Sequence, residues 1–158
     1  YGPHVMTMAT GDNLEIVNGD PILHNVHALE ATGDGLQTVF NIAQPVRGQR
    51  TQVDAPLTRP GIIALSCEAG HPWMSAYILV AGHPFVATTG DNGEFVIEGV
   101  PAGNYPIKMW HEGIRLQRVL TSLQRFEYEE PYEVTQNVVV PAGGEVVVDF
   151  AFALRPSS

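Results

Sequence analysis

The chain is poor in cysteine, in basic residues and in long apolar runs. It holds one cysteine, so an intramolecular disulfide framework is excluded. Eight basic residues stand against 17 acidic ones, and the net charge of −9 argues against nucleic acid as a partner. Phosphate contact needs clustered lysine and arginine. No apolar run approaches the roughly 18 residues of a membrane-spanning helix. The 158 residues suffice for one medium domain or two small ones.

Glycine and proline are abundant, at 16 and 12 residues, and they separate short apolar or alternating runs. Such runs lie at 13–17, 61–66, 77–81, 94–97, 105–110, 138–140 and 145–152. Short strands divided by turn residues are typical of all-β sandwiches and barrels. Only residues 113–126 depart from this pattern, and they fit a short helix or a long loop equally well. We predict two domains, residues 1–81 and 82–158.

Residues 67–74 (CEAGHPWM) concentrate groups that bind soft metals. They supply the thiol of Cys67, the imidazole of His71 and the thioether of Met74. Copper sites that transfer electrons use two histidines and a cysteine near one plane, with a weak axial methionine. The segment 23–27 (LHNVH) offers His24 or His27 for the second imidazole. A lone cysteine is otherwise an ordinary small buried residue, and for His27 we expect packing rather than ligation.

These two segments resemble the copper-binding halves of cupredoxins. Residues 18–27 (NGDPILHNVH) are similar to the segment that bears the first histidine ligand in that family, in which a strand ends in an Asn-x-Asp turn that leads to a His-Asn pair. The resemblance implies a mononuclear copper centre with His24, Cys67 and His71 as equatorial ligands and Met74 as the axial one. It also implies that Asn25 tethers the two ligand segments. The implied function is an exported, extracytoplasmic, non-enzymatic carrier of single electrons that meets a redox partner.

The ligand loop departs from the plastocyanin pattern by one residue. Three residues separate Cys67 from His71, where plastocyanin-like loops have two. The spacing is closer to the dinuclear copper motif of cytochrome oxidase subunit two. That motif needs a further cysteine where this chain has Ile63, so a self-contained dinuclear centre is excluded. An empty or distorted mononuclear site remains an alternative.

The second half resembles the carboxypeptidase regulatory-like family through residues 83–97 (HPFVATTGDNGEFVI) and 100–105 (VPAGNY). The full expectation is therefore a Greek-key cupredoxin-like β-sandwich followed by a small transthyretin-like β-sandwich. That second family is mostly non-catalytic. Because adjacent strand residues face opposite sides, His111 and Glu112 are not expected to share a ligand sphere.

Two other functions stay open at this stage. The chain could be an accessory subunit that docks on a larger periplasmic or membrane redox or photosynthetic complex, with its copper site empty. It could instead deliver Cu(I) to an acceptor protein. In each case the acidic charge favours a partner with a basic docking surface.

Overall fold

The computed structural model describes residues 1–53, 57–123 and 125–156, and within these ranges the chain forms eleven strands and one single-turn 3₁₀ helix. The strands are β1 (Val5–Ala9), β2 (Glu15–Val17), β3 (His24–Thr32), β4 (Gly35–Gln44), β5 (Arg50–Gln52), β6 (Gly61–Ser66), β7 (Ser75–Ala81), β8 (Gly103–His111), β9 (Leu116–Leu120), β10 (Arg125–Tyr128) and β11 (Tyr132–Val140). The 3₁₀ helix is Thr121–Leu123. The all-β prediction is confirmed. No helix in these ranges has the length and apolar character to cross a membrane.

The chain divides into two compact units. The first is Tyr1–Ile97 with Val119–Phe126, and the second is Glu98–Arg118 with Glu127–Ser158. The domain boundary after Ala81 and the transthyretin-like second sandwich stay predictions.

The first unit is built on a five-stranded sheet with the order β1-β7-β6-β3-β4. Strand β1 runs parallel to β7, and the other neighbours are antiparallel. In the β6–β7 pair Ser66 lies opposite Ser75. Residues 67–74 are therefore the connection between two paired strands, and both ends of that connection are held by the sheet.

The core of this unit follows the period of two expected for strands with one buried face. Its buried members are Met8, Ala28, Leu57, Ile63, Ile78 and Val80. Complete burial of one such side chain stabilises the fold by about 1.5–3 kcal/mol. Met8 on β1 is therefore a core residue.

The second unit contains the antiparallel pair of β8 and β11 and a buried carboxylate. Glu129 accepts hydrogen bonds from the Tyr132 hydroxyl (2.7 Å) and from the backbone N–H groups of Ile114 (3.2 Å) and Arg115 (3.3 Å). The Tyr132 hydroxyl is the main cause that lowers the pKa of Glu129, and it outweighs the opposing effect of burial. Three donor groups, two from residues 114–115 and one from Tyr132, thus meet at one side chain.

Three local predictions were wrong. Within residues 113–126, β9, the 3₁₀ helix and the start of β10 replace the expected helix or loop, because β9 and β10 pair with each other. Residues 94–97 form no strand. The backbone N–H of Gly90 donates to the Glu94 carbonyl at 2.9 Å and closes the turn, but no strand pairing continues beyond it. Residues 145–152 form no strand, and they meet β11 through a side chain, since Gln136 donates to the Asp149 carbonyl at 2.8 Å.

Candidate metal centre

The turn before β3 is fixed by one buried asparagine. Asn18 is 4% exposed, and its side-chain oxygen accepts the backbone N–H of Asp20 at 2.8 Å. Its amide nitrogen donates to the carbonyls of Ile22 (3.0 Å) and Gln44 (2.7 Å). Asparagine commonly closes such a turn on its own backbone two residues ahead. The turn therefore presents the Asp20 carboxylate to the first residue of β3.

That first residue, His24, is buried, and its two ring nitrogens have different surroundings. Nε2 lies 2.9 Å from Oδ2 of Asp20. A carboxylate only accepts, so Nε2 carries the hydrogen and Nδ1 keeps a free lone pair. Within the described part of the chain, Nδ1 is buried and has no hydrogen-bond partner. An unsatisfied buried acceptor is costly unless something binds it, and Nδ1 is the ring nitrogen of His24 that is left to bind a metal.

Cys67 comes directly after β6 and faces the interior. Its side chain is 1% exposed. The register pairs His27 with Ser66, so its continuation puts Cys67 opposite Val26, on the buried face of the sheet. The sulfur lies 3.6 Å from Nδ1 of His71, which the loop brings back four residues later.

The donor atoms of His24, Cys67 and His71 all lie within 4.8 Å of one another. Metal–nitrogen and metal–sulfur bonds of about 2.1 and 2.3 Å place two ligands of one trigonal ion roughly 3.8 Å apart. The 3.6 Å from the thiol to His71 matches that separation. Together with the unpartnered Nδ1 of His24, these distances fit one soft or borderline metal ion.

Met74 lines a cavity of about 540 Å³ that both histidines of the cluster also line. Its backbone N–H donates to the His71 carbonyl at 2.9 Å, which closes the end of the loop. The assignment of Met74 as a weak axial ligand stays a prediction.

Two aromatic residues at the cavity were not predicted from the sequence. The hydroxyl of Tyr1 donates to the Asn25 carbonyl at 2.5 Å. Burial raises the pKa of Tyr1 above the usual 10.0, and the Cys67 thiol adds to the rise. Trp73 is 64% exposed, and its ring meets the ring of His71 edge to face at 5.5 Å. Only its place in the ligand loop could have drawn attention to Trp73.

Asn25 and His27 lie outside the cluster. The side-chain oxygen of Asn25 accepts the backbone N–H of Glu68 at 2.5 Å, which links β3 to the ligand loop. His27 binds the Glu68 carboxylate (2.7 Å) and the Thr38 hydroxyl (2.8 Å). Both of its ring nitrogens are thus engaged in hydrogen bonds, and neither belongs to the donor cluster.

Comparison with known proteins gives a distant likeness in structure. No family model matches the chain, and no curated protein matches it. Among solved structures, it is similar to a novel purple cupredoxin from Nitrosopumilus maritimus, with 22% identity and a TM-score of 0.43. The match covers 51% of this chain and 81% of that one. At this distance the likeness carries no functional argument.

Proposed function

We propose that the first unit binds one copper ion and carries single electrons. His24, Cys67 and His71 would be the equatorial ligands, with Met74 as the weak axial one. One observation carries the proposal, namely the buried, unpartnered Nδ1 of His24 in a cluster with a buried thiol and a second imidazole. Thiolate and thioether suit Cu(I), whereas imidazole suits both oxidation states of copper.

Copper held by these donors would supply a one-electron couple between Cu(II) and Cu(I). The protein contributes fixed positions for the donors, so that little rearrangement accompanies the gain or loss of an electron. Asp20 holds the ring of His24 in one tautomer, as carboxylates commonly do for metal-binding histidines. Burial of Cys67 keeps solvent away from the sulfur. His71 is half-buried at the cavity, where a partner can approach it.

The partner that suits this chain is a redox protein with a basic docking surface. The net charge of −9 would steer such a partner electrostatically, with an encounter weakened by salt. The cupredoxin resemblance of the ligand segments supports the proposal of an extracytoplasmic location.

Visible spectroscopy on the metal-loaded protein tests the proposal. Stoichiometric Cu(II) should produce an intense thiolate-to-copper band, and Cys67→Ser and His24→Gln should each abolish it. His83→Gln, which changes an exposed histidine outside the cluster, should leave the band unchanged. A colourless protein after loading, or a band that survives Cys67→Ser, would contradict the proposal.

Two further measurements test the alternative functions. A stable complex with a larger assembly that survives Cys67→Ser in gel filtration would favour an accessory subunit. Transfer of Cu(I) to an acceptor protein at a rate faster than electron exchange would favour copper delivery.

A further inference from the structure

A closed ring of hydrogen bonds lies on the face of β3 and β4 opposite the metal cluster. Asn25 donates from Nδ2 to Oδ1 of Asn41 at 2.6 Å, and Asn41 donates from Nδ2 to Oε2 of Glu68 at 3.3 Å. The backbone N–H of Glu68 then donates to Oδ1 of Asn25 at 2.5 Å. Each of the three residues donates once and accepts once within the ring.

The Glu68 carboxylate determines the direction of this ring. Because a carboxylate only accepts, Asn41 must turn its Nδ2 toward Glu68 and its Oδ1 toward Asn25. Asn25 must then offer Nδ2 to Asn41, which leaves its Oδ1 for the backbone N–H of Glu68. The orientation of both asparagine amides therefore follows from one charged side chain.

His27 braces the same carboxylate from the side. Its Nδ1 lies 2.7 Å from Oε1 of Glu68, and its side chain is 14% exposed. Since Oε1 accepts, Nδ1 carries the hydrogen, and Nε2 can accept from the Thr38 hydroxyl at 2.8 Å. Both oxygens of Glu68 are thus held, one by His27 and one by Asn41.

The strand register explains why these residues meet. His27 lies opposite Ser66 on β6 and opposite Asn41 on β4. Continuation of the β3–β6 register puts residue 68, the next residue after Cys67, opposite Asn25. The ring therefore holds the first residue of the ligand loop that follows the thiol.

We propose that Glu68, braced by His27 and Asn41, is a positioning residue that fixes the Cys67 thiol and the start of the ligand loop. Its relevance to copper rests on the proposed function, but its effect on the loop does not. The ring compensates for the longer connection between Cys67 and His71, because it immobilises the one residue that leads from the sheet into the loop.

The reactivity of the thiol tests this without metal. Cys67 is the only cysteine and is 1% exposed, so a thiol reagent labels the apoprotein only when the loop opens. Glu68→Ala should raise the labelling rate about tenfold. Loss of the hydrogen bonds to the Glu68 side chain makes opening of the loop easier by about 1.4 kcal/mol, which corresponds to that factor. His27→Phe should also raise the labelling rate, although it leaves the charge of Glu68 in place.

Two matched variants separate positioning from charge and from general destabilisation. Glu68→Gln also removes the charge but keeps an acceptor for Asn41, and it should label more slowly than Glu68→Ala. Glu30→Ala is the control for general destabilisation. It removes a carboxylate that lies on β3, outside the ring, and is paired with Arg59, and the variant should label like the wild type. Equal rates in Glu68→Ala and the wild type, or in Glu68→Ala and Glu68→Gln, would overturn the proposal.

A second readout uses the loaded protein. In Glu68→Ala the thiolate-to-copper band should change position or intensity and copper affinity should fall about tenfold, while Glu30→Ala keeps both values. An unchanged band and affinity in Glu68→Ala would overturn the role at the metal. If the wild type itself gives no band, the proposed function fails, and the labelling rates still decide whether Glu68 positions the loop.

Discussion

Removal of the Asp20 carboxylate should weaken copper binding without unfolding the protein. Asp20 accepts from Nε2 of His24 at 2.9 Å, and its side chain is 64% exposed. The turn that carries it should persist in Asp20→Ala, because Asn18 binds the backbone N–H of residue 20 and not its side chain. The change therefore removes the constraint on the ring of His24 and little else.

The expected magnitude follows from that exposure. Loss of an outer-shell partner of a metal-binding histidine typically costs 10–100-fold in affinity. Since solvent screens most of the Asp20 side chain, we expect the lower end, about tenfold or about 1.4 kcal/mol. The apoprotein should lose no more than about 1 kcal/mol of stability, the upper range for an exposed ion pair.

Competition with a copper chelator of known affinity measures the effect. Asp34→Ala is the matched control, because it removes the same charge in the turn at the far end of β3, roughly 30 Å from His24 along the strand. Asp20→Asn should fall between the wild type and Asp20→Ala, since its amide oxygen can still accept. The reasoning would be refuted by wild-type affinity in Asp20→Ala or by an equal loss in Asp34→Ala.

Three further predictions use other features. In Trp110→Phe, where Trp73 is the remaining tryptophan, Cu(II) should quench the fluorescence strongly, because Trp73 contacts His71; unquenched emission would contradict that contact. Gly113→Ala should destabilise the fold by roughly 3 kcal/mol in denaturant unfolding, since its Cβ would lie 1.8 Å from the Glu129 carbonyl oxygen. The pKa of Glu129 is lowered in the folded protein, first by Tyr132, so the carboxylate contributes stability above about pH 4.5. That stability is lost as pH falls through the pKa of the folded state, and in acid titrations Glu129→Gln should show a smaller loss of unfolding free energy than the wild type.

The sequence was sufficient to predict the two strands that flank the ligand loop, but not β3, which carries His24. The apolar runs at 61–66 and 77–81 became β6 and β7, because each has a buried face against the core. The soft-ligand chemistry of residues 67–74 drew attention to Cys67 and His71, and the cupredoxin resemblance selected His24 as the second imidazole. His24, Cys67 and His71 do converge, with donor atoms within 4.8 Å of one another.

The sequence could not predict contacts that depend on register between distant strands. The ring around Glu68 joins β3, β4 and the ligand loop across 27 and 43 positions of the chain. No local pattern marks Asn41 or Thr38 as partners of that loop. The prediction of a strand at 145–152 was wrong for the same reason. Alternation of apolar and polar residues shows that a strand is possible, but not whether a neighbouring strand edge pairs with it.

The additional residue in the ligand loop affects placement more than stability. Residues 67–74 connect the paired Ser66 and Ser75, so one residue more lengthens a closed loop by about one part in seven. Loop-closure entropy grows only with the logarithm of length, and the change costs about 0.1 kcal/mol. Gly70 is one of the three residues between Cys67 and His71. Its φ of 85° lies in the left-handed region, so the backbone can turn back toward the sheet without strain. The longer loop is therefore compatible with a formed centre provided that its first residue is held, which is the role the geometry gives to Glu68.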